Sequence, residues 1–534
     1  MTVTLRVMLV ALVSLISVTS YAAVGKADPV NRAVEALGGE AALNQLKTIA
    51  MRGSDTNWEI ESSVHSGKSA ELRKGAESTF NVRRDLAAGN ARTDRQRTVV
   101  RTPKPLLQNF SEIVTGEIGY VSGVDSASRT QFSVRSNPSG HPMSGARTAL
   151  AMRELTRQSP RLLLDMKNDR KAVKAIAAQT VDGKALPAVQ YDVRNWSYIV
   201  MFDPQSGLPA RIRTRDGDPI QGDSNFDLVL SDWRSVAGVQ VAHNLTYKLN
   251  ERDLLAIKYD QVTPNPSLGA ELFEIPITAR AIAVRAALGS GLPYQWMMRR
   301  SAWGNLMDSD TVGWDGGAMA EPTLGDIATG ISVSQGVSHN SMVVEMDTYL
   351  VVFDAPISEQ FSAWFIEAAK KRYPGKPIKY LILTHHHWDH TAGARTYAAE
   401  GAAVVVGKGN KVHFTHMFSA AGAALNDRLH HNPRKATVIE VDGKYVLKDR
   451  KREVHAYLID SQHSIATLIG YVPDAKIGFV TDIWSSNAPL PAKPSQGHRE
   501  VVAGVNKWGL TPDQFAHGHG APSQYAPFAK FVGN

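Results

Sequence analysis

Alternating apolar and polar positions dominate the first half of the chain and predict strands that each bury one face. The clearest pair covers residues 198–202 and 210–214. The segment between them, residues 203–207, holds a proline and a glycine, whose backbone angles suit a reversal, so the sequence predicts a hairpin. Further strands are predicted at residues 78–84, 127–135, 225–233, 239–249 and 254–262.

Helical spacing occupies two stretches of this half. Residues 31–49 repeat apolar positions at helical intervals, and Gly38-Gly39 break the stretch into two short helical turns. Residues 149–168 predict one long amphipathic helix. Many antiparallel strands with few helices predict an α+β domain with a large curved antiparallel sheet, which we end near Pro276.

The pattern changes again beyond that point. Glycines and tryptophans are interspersed over residues 277–323, as in a lid over a cleft or in a connector whose tryptophans pack between domains, and we prefer the connector. Further on, helices are expected to flank a sheet. The strands are predicted at 331–334, 341–345, 350–354 and 378–383, and the helix at 359–373. The 534 residues therefore predict two domains, 23–276 and 324–534.

Residues 1–22 predict a secretory signal peptide. Arg6 precedes an apolar run over residues 7–18, and the small residue Ala22 ends the segment. The run is too short for a permanent span, so we expect cleavage after Ala22 and a periplasmic or secreted protein; a retained N-terminal anchor is the alternative. We expect no permanent membrane span after cleavage.

Composition and charge narrow the possible chemistry. The chain has no cysteine, which excludes a disulfide framework and thiolate metal ligands. Its net charge of +8 is modest for its length. The densest basic stretch, residues 83–104, predicts a solvated sheet face rather than a patch for nucleic acid or lipid headgroups. We expect a small-molecule substrate and no nucleic-acid partner, and the oligomeric state stays open.

Histidines point to a metal site in the second domain, because fourteen of the 17 lie from His339 onward. The apolar strand 378–383 runs directly into a cluster of them. His385 and His387 are two apart, so they share one side of the strand end and suit one metal ion. Asp389 and His390 follow on a turn and can reach a second metal ion.

The spacing His385-x-His387-x-Asp389-His390 resembles the signature of the metallo-β-lactamase superfamily, and the resemblance covers about residues 324–534. It implies a C-terminal αββα sandwich after the antiparallel α+β domain. It also implies an aspartate that supports the metal loop by hydrogen bonding, matched by Asp354.

The resemblance supplies the remaining ligands from later segments. His463 matches the third histidine of the first metal, and a hairpin returns Asp482 towards it, so that one carboxylate can bridge both metals. His519, between two glycines, matches the last ligand and is preferred to His517. Ser464-Ile465-Ala466 stands where Thr-Pro-Gly is common, and Thr481 where glycine is usual, but neither departure changes a ligand.

The other histidines are expected on the surface or in packing roles. His339 is left open, since it could face the cleft or be an ordinary buried, hydrogen-bonded histidine. The remaining members of this set are His386, His413, His416, His430, His431, His455 and His498.

The predicted function is hydrolysis assisted by two divalent metal ions, zinc first, with iron or manganese possible. Asp389 is the expected catalytic residue, and the substrate is an ester, lactone, thioester, amide or phosphoester. The N-terminal domain is also weakly similar to the sheets of periplasmic lipid and lipoprotein carriers. The alternative function is therefore a periplasmic protein that binds a lipophilic ligand and uses the metal domain as a scaffold.

Overall fold

The computed structural model describes residues 28–100, 104–125, 140–283, 285–286, 294–303 and 323–533. The predicted signal peptide, the predicted strand at 127–135 and much of the predicted connector lie outside the described residues. Within them, no helix is both long and apolar enough to cross a bilayer.

A large antiparallel sheet dominates the first part of the described chain. Its thirteen described strands run in the order β6-β5-β4-β3-β2-β1-β15-β14-β13-β12-β11-β10-β7. The strands β8 and β9 form a separate pair. The fifteen strands are β1 (Thr48–Glu59), β2 (Arg73–Asp85), β3 (Asn90–Val99), β4 (Leu106–Thr115), β5 (Ile118–Gly123), β6 (Gly140–Pro142), β7 (Val173–Ala175), β8 (Gln179–Val181), β9 (Lys184–Leu186), β10 (Ala188–Val193), β11 (Trp196–Phe202), β12 (Pro209–Asp218), β13 (Gly222–Val236), β14 (Val239–Leu249) and β15 (Arg252–Pro264).

The first strand of this sheet pairs with the last, so that Ile49 lies opposite Pro264. The predicted hairpin is confirmed, because β11 and β12 pair antiparallel. The helices of this part share one apolar core with the sheet. They are α1 (Pro29–Ala36), α2 (Gly39–Gln45), α3 (Gly145–Arg157) and α4 (Leu162–Asn168), followed by α5 (Ile277–Arg280) outside that core and α6 (Tyr294–Trp303).

Two expectations for this part are wrong. The helix predicted over residues 149–168 is two helices, since Pro160 interrupts the chain between α3 and α4. The basic stretch is not solvated throughout: Arg84 and Arg97 are each 6% exposed. They line a cavity of about 200 Å³ between the sheet and α3, where Gln158 and Gln108 accept hydrogen bonds from their guanidinium groups.

Helix α6 packs against both parts of the molecule. Met297 and Met298 belong to the core of the large sheet, whereas Trp296 packs edge-on against Trp388 in the second part, with ring centroids 5.2 Å apart. Trp296 therefore packs between the two parts.

Two smaller sheets form the second part. The first has the order β16-β17-β18-β19-β20-β21-β22 and is parallel from β19 onward. Its strands are β16 (Thr323–Ala328), β17 (Ile331–Gln335), β18 (Met342–Glu345), β19 (Leu350–Phe353), β20 (Ile378–Ile382), β21 (Ala403–Gly407) and β22 (Val438–Val441). The second sheet contains β23 (Lys444–Lys448), β24 (Glu453–Ile459), β25 (Thr467–Val472), β26 (Ile477–Val480), β27 (Gln514–His517) and β28 (Ser523–Gln524), in that order.

Three apolar cores define the layers of this part. Phe353 and Phe479 belong to the core between the two sheets. The other face of the first sheet packs against helices that carry Phe365 and Tyr397, and the other face of the second sheet packs against helices that carry Val505 and Phe528. The helices are α7 (Glu359–Arg372), α8 (Trp388–Thr391), α9 (Ala394–Glu400), α10 (Lys411–Ser419), α11 (Arg428–His431), α12 (Gln496–Lys507) and α13 (Tyr525–Gly533). The predicted fold class, an αββα sandwich after an antiparallel sheet domain, is confirmed.

Glu61 lies at the junction of the two parts, just beyond the end of β1. Its side chain is buried and accepts a hydrogen bond from Gln221 at 2.6 Å. Burial raises the pKa of Glu61 from 4.5 to about 7, and the neighbouring carboxylates of Asp218 and Glu59 add to the rise while Arg299 opposes it.

We expect this carboxyl group to make folding pH-dependent. The folded state holds the Glu61 proton more tightly than the unfolded chain does, so the stabilisation is complete below pH 4.5 and is lost as the pH rises through about 7. The loss should be about 3 kcal/mol. The free energy of unfolding, measured at pH 5 and pH 8, should show a smaller difference in Glu61→Gln than in the parent chain. The exposed control Glu77→Gln should keep the parental difference, and an unchanged difference in Glu61→Gln would contradict the prediction.

Candidate metal centre

The end of β20 opens into the histidine cluster. After Ile382 the chain turns through the segment that carries His385 and His387, and α8 follows at once. Both rings are buried and their centroids lie 4.5 Å apart, as expected for side chains two residues apart. His390, in α8, is fully buried beside them.

Five distant segments meet here and form two groups of donor atoms among the described residues. In each group every member offers one atom, and these atoms lie within 4.8 Å of one another. The first group is His385, His387, His463 and Asp482, and the second group is His339, Asp389, His390 and His519. The structure thus brings all seven predicted residues together and adds His339.

The carboxylate of Asp482, a member of the first group, also contacts histidines of the second group. Its Oδ2 is 2.9 Å from His463 Nε2 and 3.4 Å from His385 Nε2. Its Oδ1 is 3.0 Å from His390 Nε2 and 2.7 Å from His519 Nε2. One carboxylate therefore faces both groups, which is the position that a bridging ligand would need.

The protonation chemistry of the donors fits divalent cations. Burial lowers the pKa of His385 and His387, and burial with the adjacent His519 lowers the pKa of His339 to about 4, so these rings are neutral, as metal ligands must be. Burial opposes ionisation of Asp389 and Asp482, yet nearby imidazoles hold the pKa of both carboxyls well below the ordinary value. Burial opposes protonation of His390 and His519, yet Asp482 raises the pKa of both rings, so imidazolium charge balances these partly buried carboxylates. Bound cations would supply the same positive charge.

The donor spacing gives a second test of fit. Two ligands that sit about 2.1 Å from one zinc ion at a tetrahedral angle lie roughly 3.4 Å apart. His385 Nε2 and His463 Nε2 are separated by 3.3 Å, and His339 Nε2 and Asp389 Oδ2 by 3.4 Å. The side chains in both groups could therefore hold a metal ion.

Asp354, at the end of β19, supports the cluster from behind. Its carboxylate is fully buried and accepts hydrogen bonds from the backbone N–H of Thr384 at 2.7 Å, from the hydroxyl of Thr384 at 2.9 Å and from His390 Nδ1 at 3.1 Å. With Nδ1 occupied, His390 turns Nε2 towards Asp482. This is the supporting role that the sequence predicted for Asp354.

Left-handed backbone occurs at four non-glycine residues on the segments that form the centre. These residues are Asp354 with φ of 57°, Ile357 with 66°, Ala466 with 61° and Asp482 with 45°. Such angles are unfavourable for residues with a Cβ, above all for a β-branched residue, and are held by surrounding contacts. Ala466 stands where glycine is common in the family that the sequence resembles, and its positive φ explains why glycine is favoured there.

A loop from the large sheet also reaches the cluster. We call residues 60–66, which follow β1, the crossover loop. The carbonyl of Ser63 lies 2.9 Å from His387 Nε2 and can only accept, so this nitrogen carries the proton and Nδ1 is the atom left for a metal. The Val64 carbonyl accepts from the N–H of Ile465 at 2.9 Å, beside His463.

Sequence reasoning missed the crossover loop, because a backbone carbonyl has no side-chain signature. The preference for His519 over His517 agrees with the geometry: His517 lies outside both groups and bonds to the Trp484 carbonyl and to Ser523. The seven histidines that the sequence assigned to surface or packing roles also lie outside both groups. They are His386, His413, His416, His430, His431, His455 and His498.

Comparison with known proteins finds a family similarity in the second part of the chain. Residues 335–521 match the family model described as the metallo-beta-lactamase superfamily, which confirms the resemblance seen in the sequence. No curated protein matches the chain.

Three solved structures show how similar the chain is to known proteins. A stereoselective inverting sec-alkylsulfatase from Pseudomonas sp. is 16% identical over 39% of this chain and 40% of its own length, with a TM-score of 0.29. A metallo-beta-lactamase from Pontibacter korlensis is 12% identical over 40% of this chain and 99% of its own, with a TM-score of 0.29. A flavodiiron protein from Giardia intestinalis is 17% identical over 40% of this chain and 58% of its own, with a TM-score of 0.30.

We expect Asp354→Asn to weaken metal binding without removing a ligand. The amide would turn a donor towards at least one of the groups that now donate to the carboxylate, so His390 would lose its orientation. Loss of such support typically lowers metal affinity about 10- to 100-fold. Competition with a chromophoric chelator would measure the metal affinity. Asp326→Asn, at an exposed aspartate, is the control. An affinity equal to that of the parent chain would contradict the supporting role.

Proposed function

We propose that this chain, in which residues 335–521 match the metallo-beta-lactamase superfamily, is an exported hydrolase that uses two divalent cations. The observation that carries the proposal is the pair of donor groups that face each other across Asp482. Export rests on the residue pattern of 1–22 alone.

The residues divide into two ligand sets. His385, His387 and His463 would hold the first cation, and Asp389, His390 and His519 the second, with Asp482 shared. Zinc is our first choice because all these donors are nitrogen or oxygen and one pair of donors in each group lies at a tetrahedral spacing; iron and manganese also accept such donors.

The chemistry follows from the charges that the chain places in the site. Two divalent cations, when bound, lower the pKa of water towards neutrality and polarise a carbonyl or phosphoryl oxygen. Asp389 remains a carboxylate at neutral pH, so it can orient the attacking water and accept its proton. The proposed substrates are esters, lactones, thioesters, amides or phosphoesters.

A second candidate function is suggested by the cavity under the large sheet. Its walls combine Phe80, Leu150 and Met298 with the guanidinium groups of Arg84 and Arg97. Apolar walls with a polar patch suit an amphiphilic small molecule, so the chain could carry a ligand and use the metal domain as a scaffold. At about 200 Å³ the cavity would enclose only part of a lipid.

The ligand assignment predicts that metal and activity are lost together. Replacing both His385 and His387 by alanine removes two of the three imidazoles of the first group, so metal content should fall to one cation per chain or fewer and hydrolysis below detection. Elemental analysis and turnover would be measured on the same sample. His413→Ala, at a buried histidine outside both groups, should leave both unchanged. A double variant with full metal content would contradict the assignment.

Chelation separates the two candidate functions. The purified chain would be tested on a panel of ester, lactone, thioester, amide and phosphodiester substrates before chelation, after it, and after zinc is restored. We expect activity that disappears on chelation and returns with zinc. A metal-loaded protein that is inert on the whole panel and retains an amphiphile through purification would favour the carrier.

A further inference from the structure

His339 lies in the loop between β17 and β18, within the second donor group. We propose that His339 is a direct ligand of the second cation, which would then be held by three imidazoles; this rests on the two-cation site proposed above. Its Nε2 faces Asp389 Oδ2 at 3.4 Å, and its ring centroid is 4.3 Å from that of His519.

The loop that carries His339 is fixed to the loop that carries His519. The backbone N–H of Asn340 donates to the Gly518 carbonyl at 2.7 Å. The Asn340 side chain donates to the carbonyls of His517 and Gly520 at 3.0 and 2.8 Å. Asn340 is buried, so these bonds are shielded from water and hold the two loops in one arrangement.

Ser338 orients both rings. Its hydroxyl oxygen lies 2.9 Å from His339 Nδ1, and its carbonyl accepts from His519 Nδ1 at 2.9 Å. When Nδ1 of each ring donates to Ser338, the lone pair of each Nε2 points into the donor group. Metal-binding histidines are commonly held this way, by a partner on the nitrogen that does not face the metal.

The competing role for His339 is a hydrogen bond to Asp389. The 3.4 Å separation is long for an N–H···O⁻ bond, which normally spans about 2.7–2.9 Å. It equals the roughly 3.4 Å edge expected between two ligands on one tetrahedral ion. It is also close to the 3.3 Å between His385 Nε2 and His463 Nε2 in the first group.

The two donor groups become equivalent in number of imidazoles when His339 is included. The first offers His385, His387 and His463, and the second His339, His390 and His519. We therefore expect each cation to be coordinated by three imidazole nitrogens.

The test counts nitrogen ligands directly. The full-length protein, labelled with ¹⁵N in its histidine rings, would be loaded with ¹¹³Cd and examined by NMR. We expect two cadmium signals, each coupled to three nitrogens, and in His339→Ala one signal that couples to two. Chelator competition on the same variant should show an affinity loss of about tenfold or more for one cation, while the other cation keeps the parental affinity.

Two further variants make the outcome decisive. His339→Gln keeps a donor near Asp389, so it would restore the parental affinity if His339 were only a hydrogen-bond partner; restoration would overturn the inference. His413→Ala should keep both parental signals. A parent chain whose second cadmium couples to two nitrogens would overturn this inference alone, whereas a parent chain that binds no cadmium would overturn the two-cation function with it.

Discussion

The contact on which the rest of the centre depends is that of the Asp482 carboxylate with imidazoles from three separate loops. Its backbone lies at a positive φ, its charge is largely shielded from solvent, and its two oxygens face different groups of histidines. None of these features is favourable alone. They are stable together because each buried charge has opposite charge or a polar partner within contact distance, and because the β-sandwich holds the loops in place. Asp354 has the same role one layer deeper, where it fixes His390 from the opposite side.

The large sheet contributes contacts to the candidate metal centre as well as to its own core. The crossover loop sets the protonated nitrogen of His387 through the Ser63 carbonyl and touches the His463 loop through Val64. Helix α6 packs on both parts, and Arg299 pairs with Glu59 and Asp218 at the base of the crossover loop. The histidine geometry is therefore not a property of the sandwich alone.

The sequence predicts the parts of this arrangement that depend on local spacing. One strand end and the turn after it carry four of the predicted ligands within six residues: His385, His387, Asp389 and His390. The alternation of side chains along the strand and the turn that follows are enough to group them. His463 and His519 needed the resemblance, since nothing local ties them to the cluster. The role of His339 could not be decided from the sequence, because a buried packing histidine and a metal ligand have the same sequence pattern. The contact of the Ser63 carbonyl with His387 could not be predicted either, because every residue has a backbone carbonyl. The prediction of one long helix at 149–168 was wrong because apolar residues keep their helical spacing across Pro160, whereas the helical backbone is interrupted there.

The pairing of β1 with β15 constrains the order in which this chain can fold. Ile49 meets its partner only after residue 264 has been synthesised, and the crossover loop meets His387 only after residue 387 has been added. Contacts between such distant positions carry a large loop-closure entropy and form slowly. The geometry of the histidine cluster therefore depends on a contact that a nascent chain cannot make until residue 387 has been added.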